Sequence, residues 1–178
     1  MASRFRHIPS VLATLSIISV AQAEHRFGFG RPATEAEIAG WHIDVDRDGN
    51  KLPDGTGSVS LGHKIFDDKC AACHGAKGEG AIGDRLVGGR GTLASSKPLK
   101  TVGSFWPYAP TLFDYIRRAM PMNAPQSLSA DEVYAVTAYI LYLNEIVPKE
   151  TVLNAEILRK VEMPNRNGFV ADPRPDAR

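Results

Sequence analysis

Apolar residues recur at helical spacing in three places along the chain. Gly62, Ile65, Phe66 and Lys69 suit one amphipathic helix, opened by Ser58 or Ser60 as N-cap and running to Cys70. Thr111 is a good N-cap for a second helix. It carries Leu112, Phe113, Tyr115, Ile116 and Ala119, and it must stop before Pro121. Ser129, with Glu132 three positions on, forms a capping-box pair for a third helix. Val133, Val136 and the run Ala138 to Leu143 carry it to about Glu145, apolar on nearly every face, so it is expected to be well buried. Pro148 bars its continuation. Two weaker patterns predict short helices over Ala33 to Trp41, with Thr34 as cap and Glu37 at N3, and over Thr151 to Lys160. No stretch makes a convincing strand and no repeat appears, so the predicted class is all-α. Pro164 to Arg178 reads as an irregular tail.

The N-terminus has a different pattern. Arg4, Arg6 and His7 precede an apolar run, Ile8 to Val20, which is too short to span a bilayer, and Ala21-Gln22-Ala23 fits a small-x-small cleavage site. Residues 1–23 are therefore expected to be a signal peptide and the mature chain to begin at Glu24, exported and without a membrane span. An uncleaved anchor is the alternative. Over all 178 residues, 43% hydrophobic and 23% charged residues are ordinary for a globular protein. The net charge of +1 argues against nucleic acid as a partner. Cleavage would remove Arg4 and Arg6 but no acid, turning +1 into −1. Residues 24–55 form a polar, Gly- and Pro-punctuated extension. Within it, Asp44 to Gly49 begins like a calcium loop, but Pro53 falls inside and Gly55 stands where a bidentate Glu is needed. A structural turn is the expectation.

The two cysteines of the chain stand together in Cys70-Ala71-Ala72-Cys73-His74. This is the C-x-x-C-H spacing that attaches a c-type haem. On a helix, positions i, i+3 and i+4 share a face, so two thiols can reach the vinyl edges of one porphyrin while the imidazole reaches the iron. A redox dithiol would not need His74, and zinc wants four ligands. Export agrees with this reading, because bacteria attach c-type haem outside the cytoplasm. The Gly-rich stretch from Gly75 to Gly103 is longer than an ordinary loop and suits a backbone passing close to a flat ligand. His63 lies on a different face from His74 and reads as surface or core. Met120, Met122 and Met163 are the candidates downstream for the opposite side of the iron. Met120, at a helix end fixed by Pro121, is favoured; Met122 and an open site remain as alternatives. Arg85, Arg90, Lys100, Trp106 and Tyr108 are candidates to bind the haem propionates, and solvated surface is the alternative for the charged ones.

Gly62 and Phe66 before the haem motif, a methionine–proline turn, and a last helix with Tyr139-Ile140-Leu141 resemble a class I cytochrome c. The resemblance covers about residues 56–147. It implies crossing first and last helices, with Gly62 packed on Tyr139. Gly30 to Ala33, Trp41 to Gly55, Leu86 to Leu93 and above all Phe105 to Pro125 are similar to the cytochrome subunits of bacterial sulfite and sulfane dehydrogenases. That resemblance implies Met120 as axial ligand and a 148–178 tail that belongs to the subunit. It also implies a molybdenum-cofactor subunit as electron donor and another cytochrome c or an oxidase as acceptor. One haem motif favours the single-haem sulfite dehydrogenase type. Many class I cytochromes place a proline after the motif whose carbonyl accepts the proximal imidazole N–H; Gly83 to Leu86 holds none. The expected role is periplasmic electron transfer with no catalytic residue. A free diffusible carrier and a haem enzyme with an open sixth site are the rivals.

Overall fold

The computed structural model describes residues 29–174, so the expected signal peptide and the last residues lie outside it. Residues 29–34 are exposed and without regular structure. From Glu35 on, the elements in order are α1 (Glu35–Trp41), β1 (Thr56–Ser58), α2 (Val59–Lys69), α3 (Ala71–His74), α4 (Ala109–Ala119), α5 (Ala130–Leu143), β2 (Val152–Asn154) and α6 (Ala155–Arg159).

The caps explain most of the helix starts. The Ser58 hydroxyl accepts from the Leu61 amide at 3.1 Å and opens α2. Ser129 and Glu132 make the full capping box of α5, with the Ser129 amide donating to Glu132 at 2.8 Å and the Glu132 amide to Ser129 at 3.3 Å. Helix α4 departs from expectation. It begins at Ala109, two residues before the expected cap, with Tyr108 in the cap position. Pro110 is at home in a first helical turn, where its missing N–H costs nothing. The Thr111 hydroxyl donates back to the Tyr108 carbonyl at 2.7 Å.

The core is built on α5, whose residues Val133 to Leu141 are all buried. Strand β1 and helix α2 pack on it at one glycine each. A side chain on Gly62 would collide with the carbonyl oxygen of Ala135 and lie 2.9 Å from the Tyr139 Cβ; one on Gly57 would collide with the Ala135 amide. Backbone therefore packs on backbone at Ala135, with Tyr139 flanking. Phe66, fully buried, meets the Tyr139 ring edge-on at 5.3 Å. Leu112, Phe113 and Ile116 of α4 fill the other side of the same core.

A two-stranded ribbon joins the ends of this unit. β1 and β2 run antiparallel, with Gly57 opposite Leu153. No strand is predicted from the sequence, because three residues carry too little alternation to be read and the partners lie far apart in the chain. The strands make a minor addition to a mostly helical fold. The same C-terminal region brings Leu153, Leu158, Val161 and Met163 into the core. The extension contributes Val45 and Leu52, and the Tyr134 hydroxyl donates to the Pro53 carbonyl at 2.8 Å. Its acidic stretch forms a turn in which the Asp46 carboxylate accepts from the amides of Asp48 and Asn50 and from the Asn50 side chain.

Candidate haem site

Cys70, Cys73 and His74 do not sit on one continuous helix. Helix α2 ends at Lys69, Cys70 is its C-cap at φ −125°, and α3 is a separate single turn. The Cys70 carbonyl receives the amides of both Cys73 and His74, at 3.1 and 3.0 Å. The three side chains are thus held by one tight turn hung from the end of α2. Cys70 is half-buried against the core, Cys73 is exposed and His74 is half-buried. Burial and then the neighbouring Cys73 push the Cys70 thiol up to about 11.

The imidazole is fixed from below. His74 Nδ1–H donates to the Asp84 carbonyl at 2.7 Å, which leaves Nε2 free to ligate. No acceptor for this N–H is predicted from the sequence, because the familiar proline is missing; a backbone carbonyl needs no particular side chain, so position alone could have pointed to it. Gly83 makes room: a Cβ there would press on the His74 ring at 3.1 Å. The Gly83 amide donates to the Cys73 carbonyl and the Gly80 amide to the His74 carbonyl, at 2.8 and 2.7 Å, closing the loop onto the motif.

Asn144, the C-cap of α5, clamps the rest of that loop. Its side chain accepts from the Gly88 amide at 3.1 Å and donates to the Leu86 carbonyl at 3.1 Å, while its own carbonyl accepts from Arg90 Nη2 at 2.9 Å. Asn144 was not singled out from sequence; the signal was a lone polar residue ending an apolar helix.

Met120 is the C-cap of α4 and is half-buried against the core, as are Cys70 and Trp106. Met122 is 80% exposed and Met163 is core, 3% exposed. Of the expected propionate binders, Arg90 is engaged by Asn144 and Trp106 stands edge-on to Tyr115 at 5.7 Å. Tyr108 lies under the guanidinium groups of Arg166 and Arg47, at 5.2 and 5.8 Å. Arg85 donates to the Glu79 carbonyl, and Lys100 lies over the Phe105 ring at 4.9 Å. His63 stacks on Tyr139 at 4.7 Å and faces Asp67 at 3.3 Å, away from the motif. A free imidazole nitrogen, two unpaired thiols beside it and a ring seat kept open by Gly83 are a donor set that fits a covalent haem.

Comparison with known proteins agrees. A family model described as Cytochrome c matches residues 59–144. The thiosulfate dehydrogenase of Psychrobacter arcticus is 30% identical over 101 residues, covering 51% of this chain and 31% of that protein. The chain therefore spans about a third of that curated relative. The crystal structure of the sulfane dehydrogenase SoxCD from Paracoccus pantotrophus aligns with a TM-score of 0.77 at 43% identity, over 85% of this chain and 75% of that one.

Proposed function

This chain belongs to the cytochrome c family and carries a covalent haem c, and from that premise we propose that it is the electron-accepting subunit of a molybdenum-dependent sulfite dehydrogenase, or of a dehydrogenase for a related sulfur compound. The observation that carries this reading is the reach of the likeness to SoxCD. The family match ends at residue 144, whereas the likeness to SoxCD covers 85% of the chain and so takes in parts of the extension and tail. A free carrier has no use for such shared flanks; a subunit has.

The haem supplies a one-electron couple. Cys70 and Cys73 anchor it, and His74 and Met120 hold the iron. The Asp84 carbonyl fixes the imidazole plane, so the ligand does not swing when the charge changes. Phe66, Leu112, Ile116 and Ile140, all buried, make the surroundings apolar, which disfavours the extra charge of the oxidised state. The thioether of Met120 acts in the same direction. Arg90, Trp106 and Tyr108 serve the propionates. In this reading the chain is the redox subunit of a larger enzyme, and its side chains hold and tune the haem. Residues 1–23 direct it to the periplasm, where residues 24–55, 56–147 and 148–178 serve as extension, haem domain and tail.

The test is reduction by sulfite. In this account sulfite reduces the haem only when the molybdenum protein is present, and the two co-purify at fixed stoichiometry. Reduction by many unrelated donors without co-purification would instead mark a free carrier. A ferric spectrum without the far-red sulfur-to-iron band would mark an open-site haem enzyme.

A further inference from the structure

Asp114 is the one charged side chain among the buried polar residues described. A buried carboxylate persists only where donors pay for its lost hydration. Its donors come from two places. One oxygen accepts from the Val45 amide at 2.8 Å, across 69 positions of sequence, and from Arg118 Nε at 2.9 Å. The other accepts from Arg118 Nη2. One turn on, Arg117 Nη1 donates to the Ile43 carbonyl at 3.0 Å. Val45 is itself buried. Residues 43–45 of the extension are thus laid along the second half of α4. That half leads straight into Met120, whose amide donates to Ile116 at 3.1 Å.

We propose that Asp114 is a positioning residue for Met120: it fastens the extension to the last turns of α4 and so fixes the place from which the thioether reaches the iron. This rests on the reading of Met120 as ligand given above. A thioether is a weaker iron ligand than an imidazole, so its hold on the iron would depend on how tightly its helix end is held. The extension becomes part of the haem site by this route, through contacts with α4 rather than with Cys70 to His74. Arg117 acts as the second fastening.

The test uses haem-loaded wild type, Asp114→Asn, Arg117→Gln and Met120→Ala. Two readouts are taken: imidazole binding to the ferric protein, and amide hydrogen exchange. Asp114→Asn is expected to bind imidazole about tenfold more tightly than wild type, the scale on which partners of metal ligands act. Arg117→Gln moves the same way by less. The Val45 amide should exchange faster in Asp114→Asn while α2 and α5 amides keep their protection. Imidazole affinity equal to wild type in the variants overturns the proposal, as does loss of α5 protection in step with Val45, which marks a general stability role. Should Asp114→Asn give no folded holoprotein, Arg117→Gln decides by the same readouts. Met120→Ala separates the two readings. Tight imidazole binding there with none in Asp114→Asn removes only this inference; no change in Met120→Ala removes the ligand assignment and this inference with it.

Discussion

The two sides of the haem site are held in different ways. On the imidazole side, the His74 ring is fixed by a carbonyl ten positions away, and the loop folds back on the motif through its own amides. Asn144 closes that loop from the end of α5, through its side-chain amide and a carbonyl that accepts from Arg90. On the thioether side, Met120 ends a helix whose polar face is tied by charged groups to residues 43–45. One side is built locally around a covalent anchor. The other depends on a distant segment and a buried charge. In the proposed site, the thioether side is therefore where sequence change outside the haem domain would reach the iron.

Damage to the frame common to both sides should erase the difference. Gly62→Val drives a branched side chain into the Ala135 carbonyl. The cost is expected at about 3 kcal/mol or more. Urea denaturation should show both sides lost in one early transition, or no holoprotein at all; near-wild-type stability would mean that α2 and α5 do not cross where described.

Asn144→Ala strikes the imidazole side alone. It strands the Gly88 amide and the Leu86 carbonyl, worth about 2–4 kcal/mol together. Global stability by urea should fall by that amount while the imidazole affinity of the ferric protein stays near wild type. A large gain in affinity would show that the two sides are not independent.

Gly83→Ala is gentler. The new methyl would press on the His74 ring at 3.1 Å. A loss of about 1 kcal/mol is expected, the low end for overpacking. A changed electron paramagnetic resonance signal of the ferric haem would report the turned imidazole; an unchanged one would show that the loop gives way instead.

The smallest effect concerns Tyr134, which packs on Phe113 of α4 at 4.5 Å and holds Pro53 of the extension. Burial raises its phenol above the ordinary value. A raised phenol favours the neutral form in the folded state. Its stabilising effect is therefore whole below about pH 10, the free phenol's value, and is lost as pH rises through the folded value. Tyr134→Phe should cost about 1 kcal/mol near neutrality through the lost hydrogen bond. The gap between wild type and variant should narrow above about pH 10. Urea midpoints at the two pH values check this; a constant gap would place the phenol in water.

Much of this was legible in the chain. Ser129 and Glu132 announce α5, and C-x-x-C-H announces the cofactor, because caps and covalent motifs are local patterns. The single helix expected through Cys70 to His74 is broken at Cys70, since helix propensity does not report the turn that a loop imposes by pulling back on Cys73 and His74. The β1–β2 pair and the Asp114 contact with Val45 join residues far apart, which periodicity cannot reveal. Asp84 was hidden for another reason: its backbone serves the site, and its side chain is incidental.

The proposed site holds iron between His74 and a thioether from Met120. The most direct measurement is the reduction potential of haem-loaded Met120→Ala against wild type. The potential should drop while the haem remains attached through Cys70 and Cys73, because the thioether that favours the reduced state is gone. An unchanged potential and spectrum would contradict the assignment and hand the sixth position to Met122 or to another group.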